Sequence, residues 1–156
     1  MTVPTLKTLK VKLFTDGADK AQIVQMAKQP WIGGFTTNPS LLKKAGVGDY
    51  SAFGRDLVAA VERLSPDVIV SDISMPGLDG IEAATAILHK NPAARIVLVS
   101  VHCDPILAQR GFEVGVLGYV PKSAAGDELV PAVHSALRGE HHVSPLLKAR
   151  RSTRTP

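Results

Sequence analysis

Five short runs rich in β-branched residues alternate with stretches whose apolar residues recur at helical spacing. That pattern leaves a parallel α/β sheet as the fold such a chain can build. The runs are Lys12–Thr15, Gly34–Thr37, Val68–Ser71, Ile96–Val101 and Leu117–Pro121. Each is continuously apolar rather than alternating, as a strand covered by helices on both faces must be. Asp19 is placed to cap a first helix that reaches Lys28. Pro39 opens a short helix over Pro39–Lys44, stopped by Gly46, and Asp49 begins a longer one ending near Leu64, before Pro66. Three more helices are predicted over Gly80–Lys90, Pro105–Val114 and Gly126–Arg138.

At 156 residues the chain is long enough to bury a core without disulfides or a structural metal. Its single cysteine, Cys103, has no partner for an internal disulfide, which suits a reducing cytoplasm. No run approaches the roughly 18 apolar residues of a membrane span, and no signal peptide is read. The net charge of +4 is concentrated near the end, where Lys148, Arg150, Arg151 and Arg154 have no acidic neighbour. Residues 148–156 are therefore read as a solvated basic tail rather than a nucleic-acid arm, since no helix-turn-helix or aromatic platform accompanies them. His102 and His134 have no cysteine or carboxylate at ligand spacing, so a zinc site is not expected.

The densest chemistry lies in the run Asp67-Val-Ile-Val-Ser-Asp72-Ile-Ser-Met-Pro-Gly-Leu-Asp-Gly80. It sets a carboxylate, Asp72, at the carboxyl end of a buried strand, where open α/β sheets carry their sites. Met75-Pro76 and Gly80 then make a rigid turn into the next helix. This run resembles the receiver domain of two-component response regulators, in which that aspartate accepts a phosphoryl group from a histidine kinase. The resemblance extends to Ser100, which matches the hydroxyl that binds the phosphoryl group, and to Lys122, which matches the lysine that neutralises it. Tyr119 matches the switch aromatic, and His141–Pro145 resembles the linker before a DNA-binding output domain. Phosphoryl transfer relies on positioning and charge stabilisation, so a divalent metal is implied as well. Asp72 and the Ser74 carbonyl could supply two ligands to Mg²⁺.

A second resemblance is carried by Lys12-Leu-Phe-Thr-Asp16-Gly-Ala-Asp and Gly33-Gly-Phe-Thr-Thr-Asn38-Pro-Ser-Leu-Leu-Lys-Lys-Ala-Gly. These stretches are similar to the first two βα units of transaldolases, (β/α)₈ barrels that form a Schiff base with a ketose phosphate. Asp16 matches that family's first-strand acid and Asn38 its second-strand asparagine. The Schiff-base lysine of the family lies on a later strand that is absent here, so the chain is not expected to be an enzyme.

Together the two resemblances predict a chimera, transaldolase-like over about 9–61 and receiver-like over about 62–147. One hybrid domain would span 1–147 and the basic tail 148–156. The expected fold is a flavodoxin-like three-layer α/β/α sandwich with a five-stranded parallel sheet in the order 2-1-3-4-5; a half-barrel in sequential order is the rival. In the favoured order Asp16 takes the place of a receiver's metal-binding acids, one carboxylate short. Weak Mg²⁺ binding at Asp16, Asp72 and Ser74 is then the only cofactor expected. The leading functional expectation is an engineered fold chimera with no evolved role. A working phosphorelay receiver phosphorylated on Asp72 is the alternative, and residual Schiff-base chemistry a weaker one. No evolved partner is expected under the leading reading. Kinase recognition is lost with a foreign first helix, nucleic acid and membrane are not bound, and the chain is a monomer or a dimer.

Overall fold

In a computed structural model of the chain, the described residues are 13–16, 19–26, 28–29, 32–36, 44, 46, 65–75 and 78–152. They belong to two compact units, Met1–Tyr50 and Ser51–Pro156.

In the first unit, β1 (Leu13–Asp16) and β2 (Ile32–Thr36) pair in parallel, with Asp16 opposite Thr36. Helix α1 (Lys20–Met26) connects them. Asp19 caps it as its sequence position suggests, because its Oδ1 accepts from the Gln22 amide at 3.0 Å. Lys44 is helical and Gly46 has φ +72°, a left-handed turn that glycine adopts without steric cost and that suits a helix stop. The rest of the two helices expected over Pro39–Lys44 and Asp49–Leu64 lies outside the described residues, as does Asn38.

The second unit holds the larger sheet, in the order β3 (Ile69–Asp72), β6 (Ile96–Ser100), β7 (Gly118–Pro121), β8 (His142–Val143). All three pairings are parallel. Between β3 and the next helix, β4 (Ser74–Met75) and β5 (Leu78–Asp79) form a short antiparallel ladder. Helices α2 (Gly80–Lys90), α3 (Pro105–Glu113) and α4 (Ala125–Leu137) connect or follow the strands, and α5 (Pro145–Ser152) comes last.

Every residue of β6 is buried, which explains why Ile-Val-Leu-Val reads as one apolar run. Strand pleating sends its side chains to opposite faces. Ile96 and Leu98 pack with Ile81, Ala84 and Ile87 of α2, Ala108 of α3, Val116, Tyr119 and Leu147. Val97 packs with Val120 and with Ala132 and Ala136 of α4. The sheet is therefore sandwiched between helix layers, a flavodoxin-like α/β arrangement, and burial of each large aliphatic side chain contributes about 1.5–3 kcal/mol. Alanines at positions 84, 132 and 136 let α2 and α4 approach the sheet closely.

Three helix starts are fixed by side-chain caps that satisfy otherwise unpaired amides. Asp79 Oδ1 accepts from Ile81 N and Asp104 Oδ1 from Ile106 N, each at 2.8 Å, and Ser144 Oγ accepts from Leu146 N at 3.3 Å. Pro105 follows its cap directly, where its missing N–H costs nothing.

The C-terminal stretch departs from expectation. His141–Pro145, read as a linker, contributes β8: the His142 amide donates to the Leu117 carbonyl at 2.8 Å, and Val143 pairs with Tyr119. Residues from 148 onward, read as a solvated basic tail, continue in α5 as far as Ser152. Leu147 explains the difference, since it is buried in the main core and anchors that helix.

Candidate functional site

Three neighbouring strands end side by side in the second unit. The register pairs Asp72 with Val99 and Ser100 with Pro121. Asp72, Ser100 and Lys122 thus stand at or one residue past the carboxyl ends of β3, β6 and β7, the edge where parallel sheets carry their sites.

Asp72 is about three-quarters buried and has both carboxylate oxygens engaged. Oδ2 is ion-paired with Lys122 Nζ, and Oδ1 accepts from the Ser74 amide at 3.1 Å. The Lys122 side chain is 44% exposed, so it reaches the carboxylate from the rim. It lies on the turn Lys122–Ala124, which enters α4 directly after Pro121. Pro121 is buried, and its fixed φ helps aim the lysine back over the strand ends.

Gly80 shapes the loop beneath Asp72. Its amide donates to the Ile73 carbonyl at 3.0 Å. A Cβ there would collide with the Asp72 carbonyl oxygen and come within 2.8 Å of Ile73 Cα. Only glycine lets α2 start so close to the acid.

Ser100 is fully buried, and its Oγ accepts from the His102 amide at 3.0 Å. Tyr119, also fully buried, donates its hydroxyl to the His102 carbonyl at 2.8 Å. The backbone of His102 therefore bridges the hydroxyl and the aromatic expected to sense it. Burial pushes the Tyr119 phenol above its ordinary value, and a hydrogen bond with Ser100 offsets part of that shift.

Of the residues singled out from sequence, Asp72, Ser74, Ser100, Tyr119 and Lys122 gather in this one unit. Asp16 ends β1 in the other unit, and its side chain lies outside the described residues. No group of three or more His, Cys, Asp or Glu side chains gathers among the described residues. No described helix is long and apolar enough to cross a membrane. The contacts missed from sequence are Asp79 and Asp104 as helix caps and the trio Glu128, His142 and Ser144. The caps carried a signal, an aspartate one residue before a helical run. The trio carried none, because its members meet only once β8 is laid on the sheet.

A family model described as the response regulator receiver domain matches residues 40–134. The response regulator GacA of Pseudomonas aeruginosa is 33% identical over 92 residues, 59% of this chain and 43% of that protein. The transcriptional regulatory protein YxjL of Bacillus subtilis is 31% identical over 123 residues, 78% of this chain and 56% of its own length. The matched stretches thus span about half the length of these relatives. Among solved structures, a two-component response regulator of the LuxR family from Aurantimonas sp. superposes with a TM-score of 0.63 at 24% identity. That superposition covers 90% of this chain and 94% of that one. The isolated receiver domain of RcsB from Salmonella enterica serovar Typhimurium gives 0.58 at 17% identity, covering 87% and 94%. Both likenesses concern the fold alone.

These findings overturn the chimera. The family match begins at residue 40, inside the stretch assigned to a transaldolase fragment. The 123-residue alignment is longer than the receiver-like segment alone, and the structural likeness takes in nearly the whole chain. An engineered scaffold with no evolved function is therefore set aside, together with its transaldolase and barrel labels. The expectation that the chain has no evolved partner and has lost its kinase falls with it, because that expectation rested on a foreign first helix.

Proposed function

The chain belongs to the response regulator receiver domain family, and we propose that it works as a phosphorelay receiver with Asp72 as its phosphoacceptor. One observation carries the reading: Asp72, Ser100 and Lys122 share one sheet edge, with Lys122 already ion-paired to the acid. Receiver domains are in general not enzymes, and the chemistry proposed here is acceptance of a group.

In the step proposed, an Asp72 carboxylate oxygen attacks phosphorus in a phosphohistidine or a small acyl phosphate. A P–O bond to Asp72 forms, the bond from phosphorus to the donor breaks, and the donor leaves with that electron pair. Little covalent help is needed, so the surroundings must position the groups and absorb charge. Lys122 moves from the carboxylate to a phosphoryl oxygen and keeps a cation beside the growing negative charge. Ser100 offers its hydroxyl proton to another phosphoryl oxygen, a role compatible with its oxygen accepting from the His102 amide. The Ser74 amide holds the second carboxylate oxygen and limits rotation of the side chain.

Receiver domains bind Mg²⁺ at the acceptor site, and the donors here suit that ion. A carboxylate and the neighbouring Ser74 backbone carbonyl are hard oxygen ligands, and Mg²⁺ commonly completes its octahedron with water and substrate phosphate. When bound it would neutralise phosphoryl charge.

The relatives include proteins named as transcriptional regulators. We therefore read the natural donor as a histidine kinase, the compartment as the cytoplasm and the output as control of transcription. The test is incubation with acetyl phosphate and Mg²⁺, followed by intact-mass measurement. One added phosphoryl group, labile to hydroxylamine and absent from Asp72→Asn, is the expected result. An adduct that persists in Asp72→Asn contradicts it.

A further inference from the structure

The acid site holds two nucleophiles, and phosphoryl transfer uses only one of them to attack. Asp72 is the inner one, with Oδ1 held by the Ser74 amide at 3.1 Å. Lys122 is the outer one, its Nζ ion-paired with Asp72 Oδ2 while its side chain stays 44% exposed. Its stem rises from the turn Lys122–Ala124, directly after the buried Pro121, so the amine is delivered at the mouth of the site. On a flexible four-carbon stem it can leave the carboxylate and follow a ligand.

An acyl phosphate carries two electrophiles, its phosphorus and its acyl carbon, joined through one oxygen. A carboxylate that attacks phosphorus expels the acyl group. An amine that attacks the acyl carbon expels phosphate and forms a stable amide. In-line attack by Asp72 points the acyl group away from the carboxylate, toward the mouth where Lys122 stands. One bound donor therefore brings both reactive pairs together.

We propose that Lys122 is a modification site, acylated on Nζ by acyl phosphates held in the acid site, and that the amide shuts the site to phosphorylation. The proposal rests on the phosphoacceptor reading above. In the step, the ammonium gives one proton to the Asp72 carboxylate, its present partner, and the freed lone pair attacks the acyl carbon. The C–N bond forms and the bond from the acyl carbon to the bridging oxygen breaks. Phosphate leaves with that electron pair and takes the second amine proton, while Asp72 returns the first to water. The amide is neutral, so the cation that phosphoryl transfer needs is gone. A small donor that charges Asp72 thus also retires the site.

The test treats the full chain with acetyl phosphate and, in parallel, with acetic anhydride, which acylates amines but brings no phosphoryl group. Peptide mass spectrometry compares Lys122 with three other exposed lysines, Lys28, Lys44 and Lys90. Acetyl phosphate should label Lys122 about tenfold or more above the others, a proximity effect that the anhydride lacks. Beryllofluoride with Mg²⁺ should protect Lys122. Equal labelling of the four lysines by acetyl phosphate overturns the proposal, and so does a preference for Lys122 that the anhydride shares.

A second arm reads the shutdown. Treated chain is freed of aspartyl phosphate with hydroxylamine, which leaves an amide intact, and is then offered phosphoramidate, a donor with no acyl carbon. Molecules acetylated at Lys122 should take up phosphoryl about tenfold more slowly or worse; an unchanged rate overturns the shutdown. The two adducts differ in mass, so the two readings fail separately. A phosphoryl group on Asp72 without acetyl on Lys122 overturns this proposal and leaves the phosphoacceptor reading standing. Selective acetyl on Lys122 without any phosphoryl group supports the acylation and overturns that reading.

Discussion

Lys122 meets Asp72 with a side chain that is 44% exposed, so solvent screens much of their attraction. An ion pair of that kind contributes about 1 kcal/mol or less to folding. Lys122→Ala should therefore leave the thermal midpoint almost unmoved while the chemistry fails. Phosphorylation by acetyl phosphate should slow by about tenfold or more, as expected when a fixed charge on the transferring group is lost. A stop-time assay beside a melting curve separates the two; a large loss of stability with normal phosphorylation would show that the pair is structural.

Tyr119 makes a prediction of opposite character. Its folded pKa is raised by burial, so folding favours the neutral phenol. The stability this contributes is complete below the unfolded value of about 10 and is lost as pH rises through the higher folded value. Melting temperature should fall more steeply above about pH 10 in the wild type than in Tyr119→Phe. At neutral pH the same substitution should cost about 1 kcal/mol for the bond to the His102 carbonyl. Parallel slopes in the two proteins would remove Tyr119 as the source.

The turn from β3 into α2 shows how an element serves the site. Gly80→Ala must push α2 away from the Asp72 carbonyl and Ile73. Overpacking of this type costs about 1–3 kcal/mol. It also displaces the acid, so phosphorylation should fall more than stability does, as parallel melting and phosphorylation assays would show.

Strands and helices of this region were largely legible in the sequence. The continuous apolar runs from Val68, Ile96 and Leu117 became β3, β6 and β7; burial on both faces leaves no alternation in β6 and β7, whereas Val70 of β3 is exposed. Asp72 stood out at a strand end, and Ser100 and Lys122 were picked out by the receiver resemblance. The packing of β8 and α5 could not be read in this way. His141 and His142 look like linker residues until Leu147 finds the core and Glu128 finds Ser144, contacts separated by many residues and marked by no local pattern.

In the molecule as a whole, the largest error of sequence reasoning came from its shortest evidence. The stretches around Asp16 and Gly33–Asn38 fit a barrel lyase because barrels and doubly wound sheets are both built from right-handed βα units. Two such units carry too little information to separate the parents, whereas a family match over residues 40–134 crosses the supposed seam. Membership of the receiver family now replaces a scaffold as the working expectation. What remains is to show where the phosphoryl group goes. Phosphorylated chain can be reduced with borohydride, which converts an aspartyl phosphate to homoserine, and then digested and sequenced by mass spectrometry. Homoserine at position 72 alone is the predicted outcome; homoserine at another aspartate, or none from a chain that carries the added phosphoryl mass, would contradict the assignment.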